Sequence, residues 1–282
     1  MIAAPAEAVC SGIHNHRPQT AADLFCQITE ETPMTENKCI PKIIHYFWFG
    51  NGEMSRLNKK CIESWKKNCP EFKIMRWDES NFDISVNRFA REAYEARQWG
   101  FVTDYVRLCV LYKYGGIQLD TDVEVLKSYA DLCKYEGFIG FEEANKVNDG
   151  QGFGIRPGHP IVKEFLEYYE DRPFVLEDGS YDRKPSPYIR TEGLVKHGLK
   201  LNGTRQNIEG IEILPKDFLC PKDFLSKKTM ITPNTYSIHH FNASWYSPKE
   251  RIGMNLLHSL CRILGNQRGV RAYAILRHLA KR

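Results

Sequence analysis

The stretch at residues 112–125, YKYGGIQLDTDVEV, decides the fold of this 282-residue chain. Two glycines end an apolar helical segment, a short apolar run follows, and Asp120-Thr121-Asp122 comes directly after that run. Glycine commonly ends a helix because it adopts positive φ at no steric cost. The apolar run is typical of a buried strand, so the two acids are expected at its carboxyl end, where open α/β sheets bind ligands.

The segments around this stretch predict an α/β domain with a parallel sheet. A strand is expected within 40–49, an amphipathic helix at 55–68 with Leu57, Cys61, Ile62 and Trp65 on one face, and a second strand at 72–77. Strand, helix and strand at this spacing favour a parallel βαβ unit. Further helices are expected at 87–97, 101–114, 159–169, 191–200 and 252–280; further strands at 117–119, 123–125, 137–141, 151–155, 208–214 and 231–241; and loops at 142–150 and 171–190.

Three parts are expected along the chain: a disordered extension at 1–38, one domain at 39–250, and a basic amphipathic helical tail at 251–282. The tail carries seven Lys and Arg residues and no acid, which accounts for the formal net charge of +4. So small an overall charge disfavours a nucleic-acid partner. The tail either packs on the domain or makes peripheral contact with an anionic membrane.

The chain has no apolar run of about 18 residues, and its N-terminal stretch does not resemble a signal peptide. Its nine cysteines form no C-x-x-C pair, which favours reduced, buried thiols. We therefore expect a cytoplasmic protein, at the inner face of the membrane if the tail binds there.

Asp120 and Asp122 are candidate ligands for one hard divalent cation, Mn²⁺ or Mg²⁺. Such a cation can also bridge a diphosphate and stabilise the charge that develops as a phosphate leaves. A solvated turn is the plain alternative for an isolated D-x-D. The helix, the double glycine and the buried strand ahead of the motif favour the metal site.

Polar side chains elsewhere in apolar segments are further candidates. Asp104 and Arg107 share one face of an apolar helix, so they either form an ion pair or bind a sugar and a phosphate. His239 and His240 follow an apolar strand and point to opposite sides, so only one of them can face the site. A neutral imidazole there would be a third metal ligand, whereas a surface His pair is the plain alternative.

Three blocks of the sequence together resemble the bacterial branch of glycosyltransferase family 32, the sugar-binding-region group with the DXD motif. They are IPKIIHYFWFG at 40–50, FVTDYVRLCVLYKYGGIQLDTDV at 101–123 and YSIHHFNASW at 236–245. That group includes capsular and exopolysaccharide enzymes and is related to the yeast initiating mannosyltransferases. The resemblance covers about residues 40–246 and implies a GT-A fold, Rossmann-like, with a nucleotide-sugar donor, Mn²⁺ or Mg²⁺, and retention of anomeric configuration.

The resemblance also implies roles for single residues. Asp122 would bind the metal directly, and Asp120 would contact ribose or donor sugar. Asp104 and Arg107 fall on the donor-sugar pair, and His239 is preferred to His240 as the metal ligand. The other implied substrate-binding residues are Phe47, Trp48, Gly116, Ser244 and Trp245. Phe47 and Trp48 would lie beside the nucleotide base, and Ser244 and Trp245 would close over the diphosphate.

Two features leave the mechanism open. Retention requires a group on the β-face of the donor sugar, and the segment with Asn148, Asp149 and Gln151 is expected to supply it; Asn148 and Gln151 are therefore catalytic candidates beside Asp120 and Asp122. A front-face mechanism would need only a positioned donor, metal and acceptor hydroxyl. Gln118 stands where the family usually has Tyr and is expected to lie outside the acid pair.

The predicted function is therefore metal-dependent, retaining transfer of a sugar from a UDP- or GDP-sugar to a saccharide or lipid-linked acceptor in surface polysaccharide synthesis. One alternative is a phosphatase of the haloacid dehalogenase type with Asp120 as nucleophile, although the sequence offers no convincing later Lys and acidic pair for it. The other is a non-catalytic sugar-binding protein. The intact set Asp104, Arg107, Asp120, Asp122 and His239 argues against that alternative.

Overall fold

A computed structural model describes residues 38–242 and 248–279 of the chain. The strands are β1 Ile43–Phe47, β2 Lys73–Trp77, β3 Gly116–Gln118, β4 Val123–Val125, β5 Gly137–Glu143, β6 Lys146–Ile155, β7 Gln206–Ile208, β8 Ile211–Leu214 and β9 Ser237–His239. The helices are α1 Arg56–Asn68, α2 Arg88–Glu95, α3 Trp99–Tyr114, α4 Pro160–Glu167, α5 Ser186–Lys196, α6 Lys216–Leu219, α7 Pro248–Leu264 and α8 Asn266–Leu279.

A seven-stranded mixed sheet forms the centre, in the order β2-β1-β3-β6-β5-β8-β7. Strands β1, β2 and β3 are parallel to one another, and β5 is parallel to β8. Strand β6 is antiparallel to both β3 and β5, so the five parallel strands point the same way and share one carboxyl edge. The predicted α/β fold class is confirmed, and the strand that precedes Asp120 lies near the middle of the sheet, in agreement with a GT-A arrangement.

Apolar side chains cover both faces of the sheet. Neighbouring residues of one strand point to opposite faces, so Ile139 belongs to one cluster and Phe138 to the other. The first cluster packs against α3 through residues such as Val106, and the second packs against α1 through Trp65. Two buried layers are what a sheet needs when helices cover both of its faces.

Helix α1 begins at a capping box, in which the Ser55 side chain accepts a hydrogen bond from the Asn58 N–H and the Asn58 side chain accepts one from the Ser55 N–H. Asn58 is buried, whereas Leu57 is only half-buried. The face predicted for α1 is thus buried at Cys61, Ile62 and Trp65 and half-buried at Leu57. Asn58 turns inward as well, because its amide donates to Thr121 Oγ1 at 2.7 Å.

Several boundaries differ from the sequence prediction. Residues 146–155 form one strand, so the loop predicted at 142–150 is wrong; the polar side chains that suggested a loop are buried beside partners elsewhere in the fold. Helix α5 occupies 186–196, which shortens the loop predicted at 171–190 and moves the helix predicted at 191–200. The strand predicted at 208–214 is two strands, because Glu209 and Gly210 both turn with positive φ. Within 231–241, strand β9 covers only Ser237–His239, and it pairs with β4 in a separate two-stranded sheet.

The helical segment predicted at 252–280 is a pair of helices, α7 and α8, which meet at Gly265 with φ of 81°. Gly269 of α8 packs directly on Cys261 of α7, where a Cβ would lie 2.5 Å from the Cys261 backbone. None of the helices in the two described ranges has the length and apolar character that crossing a bilayer requires.

Trp65 links α1 to β4 through a hydrogen bond from its indole Nε1 to the buried Val123 carbonyl at 2.6 Å. We expect Trp65→Phe to lower the free energy of unfolding by about 1–3 kcal/mol, because the carbonyl would lose its partner away from water. Trp48→Phe is the matched control, since the Trp48 indole donates to the exposed Gly52 carbonyl, which water can satisfy. Urea unfolding followed by circular dichroism measures both, and equal losses would contradict the role assigned to Trp65.

Candidate metal centre

Asp120 follows β3 and is held against β6. Its backbone N–H donates to the Gly150 carbonyl at 2.9 Å, and Gln118 Nε2 donates to its Oδ1 at 2.9 Å. The approach to β6 is so close that a Cβ on Gly150 would lie 2.3 Å from Asp120 Oδ2. Only glycine fits there. Gln118 was expected to lie outside the acid pair, but it contacts the first acid directly.

The two residues after Asp120 are held by distant segments. Thr121 accepts the hydrogen bond from Asn58 at the start of α1. Asp122 Oδ2 accepts a hydrogen bond from the Asn242 N–H at 2.7 Å, and the Asp122 carbonyl accepts one from the His240 N–H at 3.0 Å. The acid turn is therefore fixed between α1 and the segment that follows β9.

The structure brings Asp120, Asp122 and His239 together. His239 lies opposite Val123 in the β4–β9 pair, and its Nε2 is 3.3 Å from Asp122 Oδ1. One ligand atom from each of the three side chains lies within 4.8 Å of the others. His240 points to the other side of the strand, where its Nε2 lies 2.8 Å from Glu124 Oε2. The alternation of the strand thus places His239, and not His240, with the acids.

This cluster has the composition of a divalent-cation site, with two carboxylates and one imidazole. Two further observations fit a bound cation: His239 Nδ1 and Gln118 Oε1 are buried and have no hydrogen-bond partner in the described structure. Buried polar atoms are normally paired, so unpaired ones beside a ligand cluster indicate a missing partner. Asp120 keeps 32% of its side-chain surface exposed, which leaves the cluster open to a ligand.

The protonation of Asp122 and His239 is coupled through their contact. Burial alone would raise the pKa of Asp122, but the His239 charge and hydrogen bond, together with the Asn242 N–H, lower it to about 2. Burial opposes protonation of His239, yet the charge of Asp122 and its hydrogen bond raise the pKa of His239 above its usual value. A proton on His239 therefore occupies the position that a cation would take.

Behind Asp120 lies a buried network of charges centred on Arg107. Arg107 Nη2 is 3.3 Å from Asp104 Oδ1 and 3.5 Å from Asp120 Oδ1, and its Nη1 is 3.4 Å from Asp149 Oδ1. The side chains of Arg107 and Asp149 are 6% and 0% exposed. The ion pair predicted between Asp104 and Arg107 is therefore present, and it extends to the first acid of the motif.

Arg190 and Ser186 of α5 complete this network, and the sequence analysis missed both. Arg190 Nε donates to Asp149 Oδ2 at 3.0 Å and its Nη2 donates to the Asp104 carbonyl at 3.2 Å, while Ser186 Oγ donates to Asp149 Oδ1 at 2.9 Å. Burial works against ionisation of Asp149, but Arg107 and Arg190 lower its pKa overall. Burial raises the pKa of Asp104 to about 6, although Arg107 opposes this shift.

The remaining predicted residues have different surroundings. Asn148 Oδ1 accepts a hydrogen bond from the Gly150 N–H at 2.7 Å, whereas both amide atoms of Gln151 are buried without a partner in the described structure. Phe47 is 7% exposed and packs in the core, and Trp48 beside it is half-buried. Gly116 packs on β1, where a Cβ would lie 2.7 Å from the Ile43 carbonyl. Ser244 and Trp245 lie outside the described residues.

The fold and the site define a class: an α/β domain with a carboxylate and histidine cluster at the carboxyl edge of its sheet. Residues 55–139 match the family described as glycosyltransferase sugar-binding region containing DXD motif. The match includes Asp120 and Asp122, the two acids of the motif. It also includes Asp104 and Arg107.

Two curated proteins are similar to parts of the chain. Inositol phosphoceramide mannosyltransferase 3 of Schizosaccharomyces pombe is 28% identical over 138 residues, which is 46% of this chain and 37% of that protein. Alpha-1,4-N-acetylglucosaminyltransferase of Homo sapiens is 32% identical over 74 residues, 26% of this chain and 20% of that protein. The chain thus spans well under half the length of both relatives. These matches support a glycosyltransferase family, while the assignment to family 32 and to bacterial capsular enzymes stays a prediction.

Among solved structures, the chain is similar to PaToxG glycosyltransferase, at a TM-score of 0.42 and 19% identity over 62% of this chain and 76% of that one. Another is the galactosyltransferase LgtC in complex with donor and acceptor sugar analogs, at a TM-score of 0.39 and 14% identity over 76% of this chain and 92% of that one.

The opposite orientations of His239 and His240 allow a matched test of the metal site. We expect His239→Gln to weaken Mn²⁺ binding at least roughly tenfold, because it removes a ligand of the cluster. His240→Gln should leave the affinity within about twofold, since its ring contacts Glu124. Titration calorimetry measures both. Wild-type affinity should also fall as the pH drops below the raised pKa of His239, because protons then compete with the cation.

Equal affinities for the two variants would contradict the assignment of His239.

Proposed function

We propose that the protein is a metal-dependent glycosyltransferase that moves a sugar from a nucleotide-sugar donor to a saccharide or glycolipid acceptor. The observation that carries this proposal is the Asp120, Asp122 and His239 cluster at the carboxyl edge of the sheet. It lies where α/β sheets bind ligands, and its two acids belong to the segment that matches the DXD sugar-binding region. We favour Mn²⁺ or Mg²⁺ as the cation and a UDP- or GDP-sugar as the donor.

The metal cluster and the charge network around Arg107 would act on different parts of the donor. Bound at Asp120, Asp122 and His239, a divalent cation would neutralise the diphosphate and stabilise the charge on the leaving group. Arg107 contacts both Asp104 and Asp120, so it orients the two acids relative to each other. Asp104 is the proposed ligand of a donor-sugar hydroxyl. Preorganised charges of this kind lower a barrier because they need not reorganise during the reaction.

Gln151 is the best supported of the residues proposed for the β-face of the donor sugar. Both of its amide atoms are unpaired in the described structure, so it retains a donor and an acceptor, although the side chain is wholly buried against Gly140 and a sugar would reach it only if its neighbours moved. Both atoms of the Asn148 amide already have partners, since its oxygen accepts a hydrogen bond from the Gly150 N–H and its nitrogen lies 3.4 Å from Glu142 Oε2. We therefore assign Gln151 to the donor sugar and Asn148 to the conformation of the strand.

The surroundings of Asp120 do not favour the phosphatase alternative. The cationic side chain that contacts Asp120 in the described structure is Arg107, whereas the phosphatase class places a Lys beside its nucleophile. Asp120 also lies in a tight turn against Gly150. A scaffold that only binds sugar has no leaving phosphate, so it would not use a cation to stabilise leaving-group charge.

Nucleotide sugars offered with Mn²⁺, with release of nucleoside diphosphate as the readout, test the proposed reaction. We expect turnover that EDTA abolishes and that Asp122→Asn lowers on the order of 100-fold or more, because the cluster loses a charged ligand. Glu124→Gln is the matched control, since Glu124 lies two residues further on and pairs with Lys60 and His240 outside the cluster. It should keep most of the activity.

The proposed reaction is wrong if no donor is turned over or bound, or if Asp122→Asn and Glu124→Gln behave alike.

The helical tail supports a further part of the proposal, contact with the cytoplasmic face of a membrane where lipid-linked acceptors for surface polysaccharide would lie. The tail contacts the domain through His258 of α7, which lies beside Phe224, and through Asn266 at the start of α8, which donates to Asp223 at 3.1 Å. Large apolar side chains on α7 and α8 nevertheless remain exposed, among them Ile263 at 79% and Ile275 at 61%. Exposed apolar groups among basic residues are typical of helices that lie on anionic membranes.

Flotation of the full-length protein with vesicles that contain anionic lipid tests this contact. Ile263→Ser with Ile275→Ser should lower the bound fraction, with an affinity loss of roughly tenfold or more, because two apolar side chains no longer enter the lipid. Met230→Ser with Ile231→Ser is the control, since these side chains are equally exposed but lie outside the tail. Equal flotation of the two double variants would contradict membrane contact through the tail.

A further inference from the structure

A cavity of about 580 Å³ lies between α7, the 222–227 loop and the segment after β9. Its lining is strongly basic, and none of the described residues that line it is acidic. The cationic residues are Lys222, Lys227 and Arg251, whereas burial lowers the pKa of His240 and lowers that of His258 to about 4, so both imidazoles are neutral near pH 7. A cavity of this size could hold a group as large as a phosphorylated sugar unit.

Both lysines of the cavity, Lys222 and Lys227, lack a carboxylate at ion-pair distance within the described ranges. Lys222 Nζ lies 3.3 Å from the His240 carbonyl, and Lys227 Nζ lies 4.8 Å from the centre of the Phe224 ring and 5.2 Å from that of Phe241. The acid next in sequence, Asp223, accepts hydrogen bonds from Ser226 and Asn266 instead.

The cavity therefore brings the ammonium groups of Lys222 and Lys227 together, and Asp122 acts on both of them only from beyond ion-pair distance. Burial and the nearby Lys222 lower the pKa of Lys227 to about 8. His258 Nε2 is buried and has no hydrogen-bond partner in the described structure. Half-buried ammonium groups without a directly paired carboxylate are unfavourable, and an anion in the cavity would lower that cost.

The cavity is adjacent to the metal cluster but separate from it. Phe241 has a positive φ of 55°, and its ring lies against His239 at 4.4 Å and against Phe224 at 5.2 Å between centroids. This aromatic wall stands between the cluster and the side of the segment on which His240 and Lys222 meet.

We propose that this basic cavity binds a phosphate group of the acceptor, while the donor occupies the metal cluster. The proposal rests on the proposed transferase function. Lysine ammonium groups bind phosphate as point charges, and an uncharged saccharide would not compensate them. The position beside the cluster would bring a phosphate-bearing acceptor within reach of the donor sugar. The other source of the same chemistry is the donor's own diphosphate.

Binding of inorganic phosphate to the full-length protein in EDTA tests the cavity without metal or donor. Lys227→Gln should weaken phosphate binding roughly tenfold or more by calorimetry, because it removes one charge-assisted contact. Lys228→Gln is the matched control, since the neighbouring Lys228 side chain is exposed and does not line the cavity. Lys227→Arg keeps the charge and should retain most of the binding, which separates a lost contact from a folding defect.

A second measurement distinguishes the two sources of phosphate. Binding of UDP and GDP with Mn²⁺ should be unchanged in Lys227→Gln if the cavity serves the acceptor. A parallel loss of nucleoside diphosphate binding would overturn the proposal in favour of the donor, and equal phosphate binding by Lys227→Gln and Lys228→Gln would overturn the anion site itself. The EDTA measurement involves neither donor nor metal, so failure of the transferase function, seen as absent nucleotide-sugar turnover, is distinguishable from failure of the cavity.

Discussion

The site depends on the burial of one guanidinium, that of Arg107, among three carboxylates. A buried charge is tolerated only where it is paired and hydrogen-bonded, so Arg107 requires Asp104, Asp120 and Asp149 to converge on it. These acids come from α3, from the turn after β3 and from β6. Arg190 of α5 then compensates Asp149 from the other side. One electrostatic requirement thus fixes the relative positions of two helices and two strands beneath the cluster.

The charge balance of this network indicates why the cluster suits a cation. Among the described residues, the carboxylates of Asp104, Asp120 and Asp149 contact two guanidiniums, those of Arg107 and Arg190. A fourth carboxylate, that of Asp122, contacts His239 instead. The excess negative charge lies at the open end of the network, where Asp122 is. His239 partly compensates it, since the acids raise the pKa of its imidazole. A divalent cation would supply the missing positive charge and release that proton, which links metal binding to pH.

The features that sequence alone could predict are those carried by local pattern. The end of α3 at the double glycine, the strand before Asp120 and the buried face of α3 follow from hydrophobic periodicity and turn chemistry. Because successive strand residues point to opposite sides, the sequence also predicts that only one of His239 and His240 can face the acids. Arg190 could not be found, because it meets Asp149 across 41 residues of chain and stands in a stretch with no apolar period. For the same reason β6 resembled a loop, since its buried Asp149 is paired with Arg107 and Arg190, which lie far away in sequence.

The short segment 239–242 has a larger part in the site than its length suggests. His239 faces the acids, His240 faces Glu124 and Lys222, and the left-handed turn at Phe241 lets the Asn242 N–H return to Asp122. Because successive strand residues point to opposite sides, a segment of this kind can contact two ligands at once without any side chain serving both. The metal cluster and the basic cavity therefore lie on opposite sides of the four-residue segment 239–242. A transferase that must hold two reactants side by side gains from such a wall, since movement of the segment would alter both sites together.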